Sequence, residues 1–97
     1  MCGILGLVTK EDSNLTSALF KSSFECLFKL SESRGKESSG VALCSAGKIR
    51  IFKSPFAASF LIRTSEYKEL FQEALSGEIL KIGKIKKPFA AIAHTRL

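Results

Sequence analysis

Tryptophan is missing from the 97 residues, and methionine, tyrosine and histidine occur once each. Two Pro and seven Gly are too few for a collagen-like or proline-rich segment. With 45% hydrophobic and 25% charged residues, disorder is excluded as well. No apolar run approaches the roughly 18 residues that a membrane helix needs, and the N-terminus lacks the basic and apolar regions of a signal peptide. The expectation is a cytoplasmic chain with no membrane partner. Three cysteines, an odd number without a CxxC pair, argue against a disulfide framework and a zinc knuckle. The single His94 has no histidine partner for a metal, so neither metal nor cofactor is called for. Its isolation also leaves Ser38 and Ser39 without a second histidine for a serine-nucleophile triad. A chain of this length holds one modest domain with a small core.

Acidic residues are scarce in the second half. Residues 1–47 carry five basic and five acidic side chains, whereas residues 48–97 carry ten basic and four acidic, so the net charge of +6 lies entirely there. Such asymmetry favours anionic partners in general. The basic residues are not interleaved with the aromatics on which nucleic-acid bases stack. A solvated basic face is therefore expected, and nucleic acid is not the expected partner.

The apolar run Cys2–Val8 reads as a buried strand, followed by a polar turn in which Asp12 or Ser13 caps a helix. Leu15, Leu19, Phe20, Phe24, Cys26, Leu27, Phe28 and Leu30 then fan over a broad helical arc, wide enough to pack on a sheet and something beside it. Residues 31–40 read as a polar loop. Val41–Cys44 and Ile49–Phe52, joined by a turn at 45–48, form a hairpin. Ser54 and Pro55 have the pattern of an N-cap and first helical position. Tyr67, Leu70, Phe71, Ala74 and Leu75 mark a helix from about Ser65, with Gly77 as its stop. A basic connector, Lys81–Lys87, leads to Phe89–Ala93, apolar on both faces and so expected as a central buried strand, with His94-Thr95-Arg96 at its exit. The order strand, helix, two strands, helices, strand indicates an α+β fold.

Position 2 carries the most chemistry. If Met1 is removed, Cys2 offers both a thiol nucleophile and an α-amine able to act as its general base near neutral pH. Gly3 is read as leaving space beside that nucleophile. Cys26 and Cys44, set in apolar runs, are expected to be buried thiols.

Met1-Cys2-Gly3-Ile4, the segment Arg34-Gly35-Lys36-Glu37-Ser38-Ser39-Gly40 and the strand end Ala93-His94-Thr95-Arg96 follow one another in a familiar order and spacing. On these residues the chain resembles the class II glutamine amidotransferases, a branch of the N-terminal-nucleophile hydrolases, whose members begin MCGI and carry an RGxDSxG-like loop and an HTR strand end. The resemblance implies a four-layer α-β-β-α sandwich with mostly antiparallel sheets. Residues 1–97 would be its N-terminal portion, truncated after the HTR strand. It implies that Cys2 attacks the side-chain amide of glutamine, forming a thioester and releasing ammonia to a synthase domain or partner, amino-sugar synthase-like or asparagine synthetase-like. Arg96 would hold the glutamine α-carboxylate in its planar fork, Thr95 and His94 would shape the same substrate-binding strand end, and Arg34 and Gly35 would form a loop near the nucleophile.

Two departures stand out. Glu37 takes the place of the usual Asp, and the family's Asn-Gly oxyanion pair is lacking, the only Asn being Asn14, followed by Leu15. Loss of one oxyanion donor costs on the order of a hundredfold or more in rate, so residues 1–97 alone are expected to be inactive. The alternative is a small basic binding module for RNA or an acidic partner, built on Lys81, Lys84, Lys86 and Lys87. A degenerate amidotransferase domain kept as scaffold is a third.

Overall fold

A computed structural model describes residues 2–97; the expected removal of Met1 therefore concerns a residue outside those described. Six strands and three helices form an α+β fold: β1 (Cys2–Thr9), α1 (Ser17–Ser31), β2 (Ser38–Ser45), β3 (Lys48–Ser54), α2 (Ala58–Leu61), α3 (Ser65–Ala74), β4 (Leu80–Lys81), β5 (Lys84–Ile85) and β6 (Phe89–Arg96). Four of the strands make one antiparallel sheet in the order β1-β6-β2-β3, and β4 and β5 make a separate hairpin.

The helices lie on one face of the sheet because the aromatics fall at helical spacing. Phe20, Phe24 and Phe28 recur every fourth residue on α1, and all three are fully buried. They meet Tyr67 and Phe71 of α3 and Phe89 of β6 in a continuous ring cluster, with centroids 5.0 Å apart for Phe20 and Phe89 and 5.9 Å for Phe24 and Phe71. Each buried Phe contributes roughly 1.5–3 kcal/mol of transfer free energy. The apolar arc of α1 is used more narrowly than its composition suggests: Leu19, Cys26, Leu27 and Leu30 face solvent.

Local signals resolve differently from expectation at several points. Thr16, not Asp12 or Ser13, caps α1, its Oγ1 accepting from the Leu19 N–H at 3.1 Å. The earlier residues are held by the β4–β5 hairpin instead: Asp12 N–H donates to Lys86 O at 2.8 Å, and Ser13 Oγ donates to Ile85 O at 3.1 Å. That hairpin replaces the expected featureless basic connector. Ser54 accepts from the Phe56 N–H, but α2 begins only at Ala58, so Pro55 is not its first residue. α3 stops at Ala74, and Gly77 opens a separate short turn.

The strands are longer than their apolar runs. β2 starts at Ser38, inside the expected loop, and β6 runs through Arg96 rather than ending at Ala93. β6 is central, yet only one of its faces is covered: Phe89, Ala91, Ala93 and Thr95 are buried, while Ile92, His94 and Arg96 are exposed. Both two-residue hairpin turns have positive φ at each central residue, Ala46-Gly47 and Ile82-Gly83, which gives the twist that antiparallel strands need.

Candidate active site

The antiparallel register gathers residues that lie 94 positions apart. Cys2 is opposite Arg96, and Arg96 is opposite Ser38 on its other side. One step along, Ile4, His94, Gly40 and Lys53 form the next row across all four strands. Opposed residues share a face, so Cys2, Arg96, Ser38, His94 and Lys53 all belong to the outer face of the sheet, opposite the helices. Opposed Cβ atoms are about 4.5–5.5 Å apart and diagonal neighbours somewhat farther, at about 7–8 Å. Cys2 thus has a guanidinium-bearing residue beside it and an imidazole-bearing one on the diagonal. Among the described residues, the side chains of Cys2, Arg96, His94 and Lys53 have no hydrogen-bond or ion-pair partner.

Thr95 belongs to the opposite face. It is fully buried, and its Oγ1 donates to the Ser31 carbonyl at the end of α1 at 2.8 Å. Gly3 faces the same way: a Cβ there would lie 2.7 Å from Thr95 Oγ1. Gly3 therefore makes room for the Thr95 hydroxyl under the sheet and does not open space around the Cys2 thiol. The strand pair is tied to the helix layer at the same end as Cys2.

The Arg34–Gly40 segment secures that end from the side. Glu32–Arg34 is a single 3₁₀ turn after α1. Gly35 packs so closely on β6 that a Cβ would lie 2.4 Å from Arg96 backbone atoms, which excludes every other residue without a backbone shift. The Glu37 N–H donates to the Arg96 carbonyl at 2.9 Å. Glu32 reaches onward, accepting from the Ser59 N–H at the start of α2 at 2.8 Å. That backbone hydrogen bond holds the Glu32 carboxyl below the usual carboxylate range. The segment thus acts on the site by fixing where Arg96 begins and ends.

Of the residues singled out from sequence, Cys2, His94 and Arg96 come together on one face, Arg34 and Gly35 lie at its end, and Thr95 lies beneath it. Cys26 is exposed and Cys44 half-buried, contrary to the expectation of two buried thiols. Cys26 is free to face water because it sits off the phenylalanine stripe of α1, and Cys44 because it points to the uncovered face. Asn14 lies beyond the far end of β1, where its Oδ1 accepts from Lys86 Nζ, and so supplies no donor near Cys2. Lys53 was not singled out in the sequence, and Ser38 was considered there only as a serine nucleophile and as part of the Arg34–Gly40 segment. The signal for Lys53 was the hairpin: once Ala46-Gly47 sets the turn, alternation puts Lys53 opposite Gly40 and both on the face of His94.

Among the described residues, no three His, Cys, Asp or Glu side chains come together as a metal-binding group, and no helix is long and apolar enough to cross a membrane. No family model, curated protein or solved structure matches the chain.

Proposed function

We propose that this chain is the N-terminal part of a class II glutamine amidotransferase domain, acting in the cytoplasm with Cys2 as nucleophile. The observation that carries this reading is the register pair Cys2–Arg96: a residue that bears both thiol and α-amine once Met1 is gone, directly opposite an unpaired guanidinium. The carboxylate-binding role of Arg96 fits the distances. Four carbon–carbon bonds separate the amide and carboxylate carbons of glutamine, about 5 Å when extended. An amide at Cys2 therefore leaves the carboxylate within the reach of the long Arg96 side chain.

The chemistry follows from those two groups. The Cys2 thiol attacks the amide carbon while its α-amine takes the thiol proton. Collapse of the adduct breaks the carbon–nitrogen bond, the proton passes to the departing nitrogen, and ammonia leaves a γ-glutamyl thioester. Water then cleaves the thioester to glutamate and the free thiol. The ammonia passes to an acceptor on a synthase domain or subunit. The finer architecture belongs to the same reading: the two layers described are half of a four-layer α-β-β-α sandwich. Its support is the uncovered sheet face, where Ile4, Val8, Ile49, Ile51 and Ile92 are exposed. Three free thiols fit a reducing compartment.

The test is covalent labelling by the diazoketone analogue of glutamine, read by mass spectrometry. Protein with a free Cys2 N-terminus is expected to take the label on Cys2, and a form with one extra residue ahead of Cys2 to lose it. Cys26 is a fair internal competitor, being exposed as well. Label mainly on Cys26, or equal labelling of Cys2 in the extended form, refutes the proposal.

A further inference from the structure

The outer face holds a second cationic side chain that the family resemblance does not assign. A hollow of about 310 Å³ opens beside Arg96, lined by Ser38, Lys53, Ser54 and His94 among others. Its floor is Gly40. Because Gly40 is paired with His94 on one side and Lys53 on the other, these two side chains flank a position that has none. His94 leans into that gap: a Cβ on Gly40 would lie 2.6 Å from His94 Nε2. The imidazole thus reaches across β2 toward Lys53. No Asp or Glu lines the hollow, and neither Lys53 nor Arg96 has an ion-pair partner among the described residues. Cations grouped in one hollow without a carboxylate repel each other, and a bound anion relieves that repulsion.

We infer that Lys53 is a second ligand for the α-carboxylate of the amino-acid substrate, which is held between Arg96 on β6 and Lys53 on β3, with His94 as the wall between them. This rests on the amidotransferase reading, which fixes the anion as a carboxylate and its distance from Cys2. The two cations divide the work by their chemistry. The guanidinium fork sets the orientation of the carboxylate, and the ammonium adds a point charge with movable donors. Ser38, opposite Arg96 on β2, supplies a hydroxyl at the mouth of the same hollow. A neutral ester or amide in place of the carboxylate leaves both cations uncompensated, so the pair selects free amino acids over the same side chain within a peptide.

The measurement is the rate of Cys2 labelling by the diazoketone analogue of glutamine, divided by the rate for its α-methyl ester, at low ionic strength. The ratio is taken within each protein, so a general change in thiol reactivity cancels. The unaltered protein is expected to prefer the acid strongly. Lys53→Met lowers the ratio about tenfold, the loss of one charge-assisted contact, and Lys53→Arg restores most of it. Should the Met variant fail to fold, Lys53→Gln, polar and near in length, carries the same test. An unchanged ratio in the Met or Gln variant overturns the role of Lys53 and leaves the amidotransferase reading intact. No preference for the acid in the unaltered protein overturns both.

Discussion

Neighbouring residues of the HTR strand end do opposite jobs, because successive side chains of a strand point to opposite faces. Arg96 faces the thiol, whereas Thr95 is locked beneath it by its hydrogen bond to the Ser31 carbonyl. The pair should separate cleanly in experiment. Arg96→Lys keeps the charge but loses the fork, and in the full-length enzyme is expected to raise the glutamine KM roughly ten- to a hundredfold with little change in unfolding temperature. Thr95→Val leaves the Ser31 carbonyl short of a buried donor, a cost of about 1–3 kcal/mol. At roughly 4–8 °C per kcal/mol for a domain of this size, thermal unfolding should report it plainly. If Thr95→Val melts normally and instead raises the KM, the hydroxyl belongs to the substrate and not to the helix layer. In the sequence, Thr95 stands with His94 at the exit of a strand expected to end at Ala93; alternation separates Thr95 from His94 and Arg96 only because β6 runs through Arg96.

Elements were legible where a short-range signal had no competitor. The phenylalanines of α1 recur every fourth residue, and Ala46-Gly47 gives the β2–β3 turn its left-handed pair. Legibility failed where tertiary contacts claimed the signalling residues first: Asp12 and Ser13 look like caps, but the β4–β5 hairpin holds them through Lys86 and Ile85. That hairpin itself was hidden because its strands are two residues long and its turn carries Ile82 where Asn or Gly is usual. Ile82 has φ 53° and is 92% exposed, so it bears the steric cost of the left-handed region without any burial in return. Ile82→Asn should therefore stabilise the chain by about 1 kcal/mol, because Asn tolerates that conformation and Ile does not. Chemical denaturation is the direct measurement, and a lower midpoint for the Asn variant would mean that the turn is not under strain.

At the scale of the whole molecule, the two faces of the sheet break the usual rule for an antiparallel layer with one face in water. Such a sheet alternates apolar inside and polar outside, yet here the outer positions away from Cys2 are Gly6, Val8, Ala42, Cys44, Ile49, Ile51, Ala90 and Ile92. The polar residues gather at the end that holds Cys2, Arg96 and Lys53, so the face runs from a charged site to an apolar field. This is why the apolarity of Phe89–Ala93 on both sides suggested a strand buried on both. Apolar side chains occupy both faces of the sheet, and the described residues cover one. Ile49 and Ile51, on the edge strand and 67% and 62% exposed, offer the test. In the 97-residue chain, the double change Ile49→Lys and Ile51→Lys should leave the unfolding free energy within about 0.5 kcal/mol per site, as for other surface substitutions. It should also reduce the binding of a hydrophobic dye, by removing the apolar patch. In a complete four-layer domain the same two lysines would be forced between sheets, each facing a desolvation cost of several kcal/mol, and both folding and glutamine turnover should fail. Equal tolerance in the short chain and in the complete enzyme would mean that no second sheet ever covers this face.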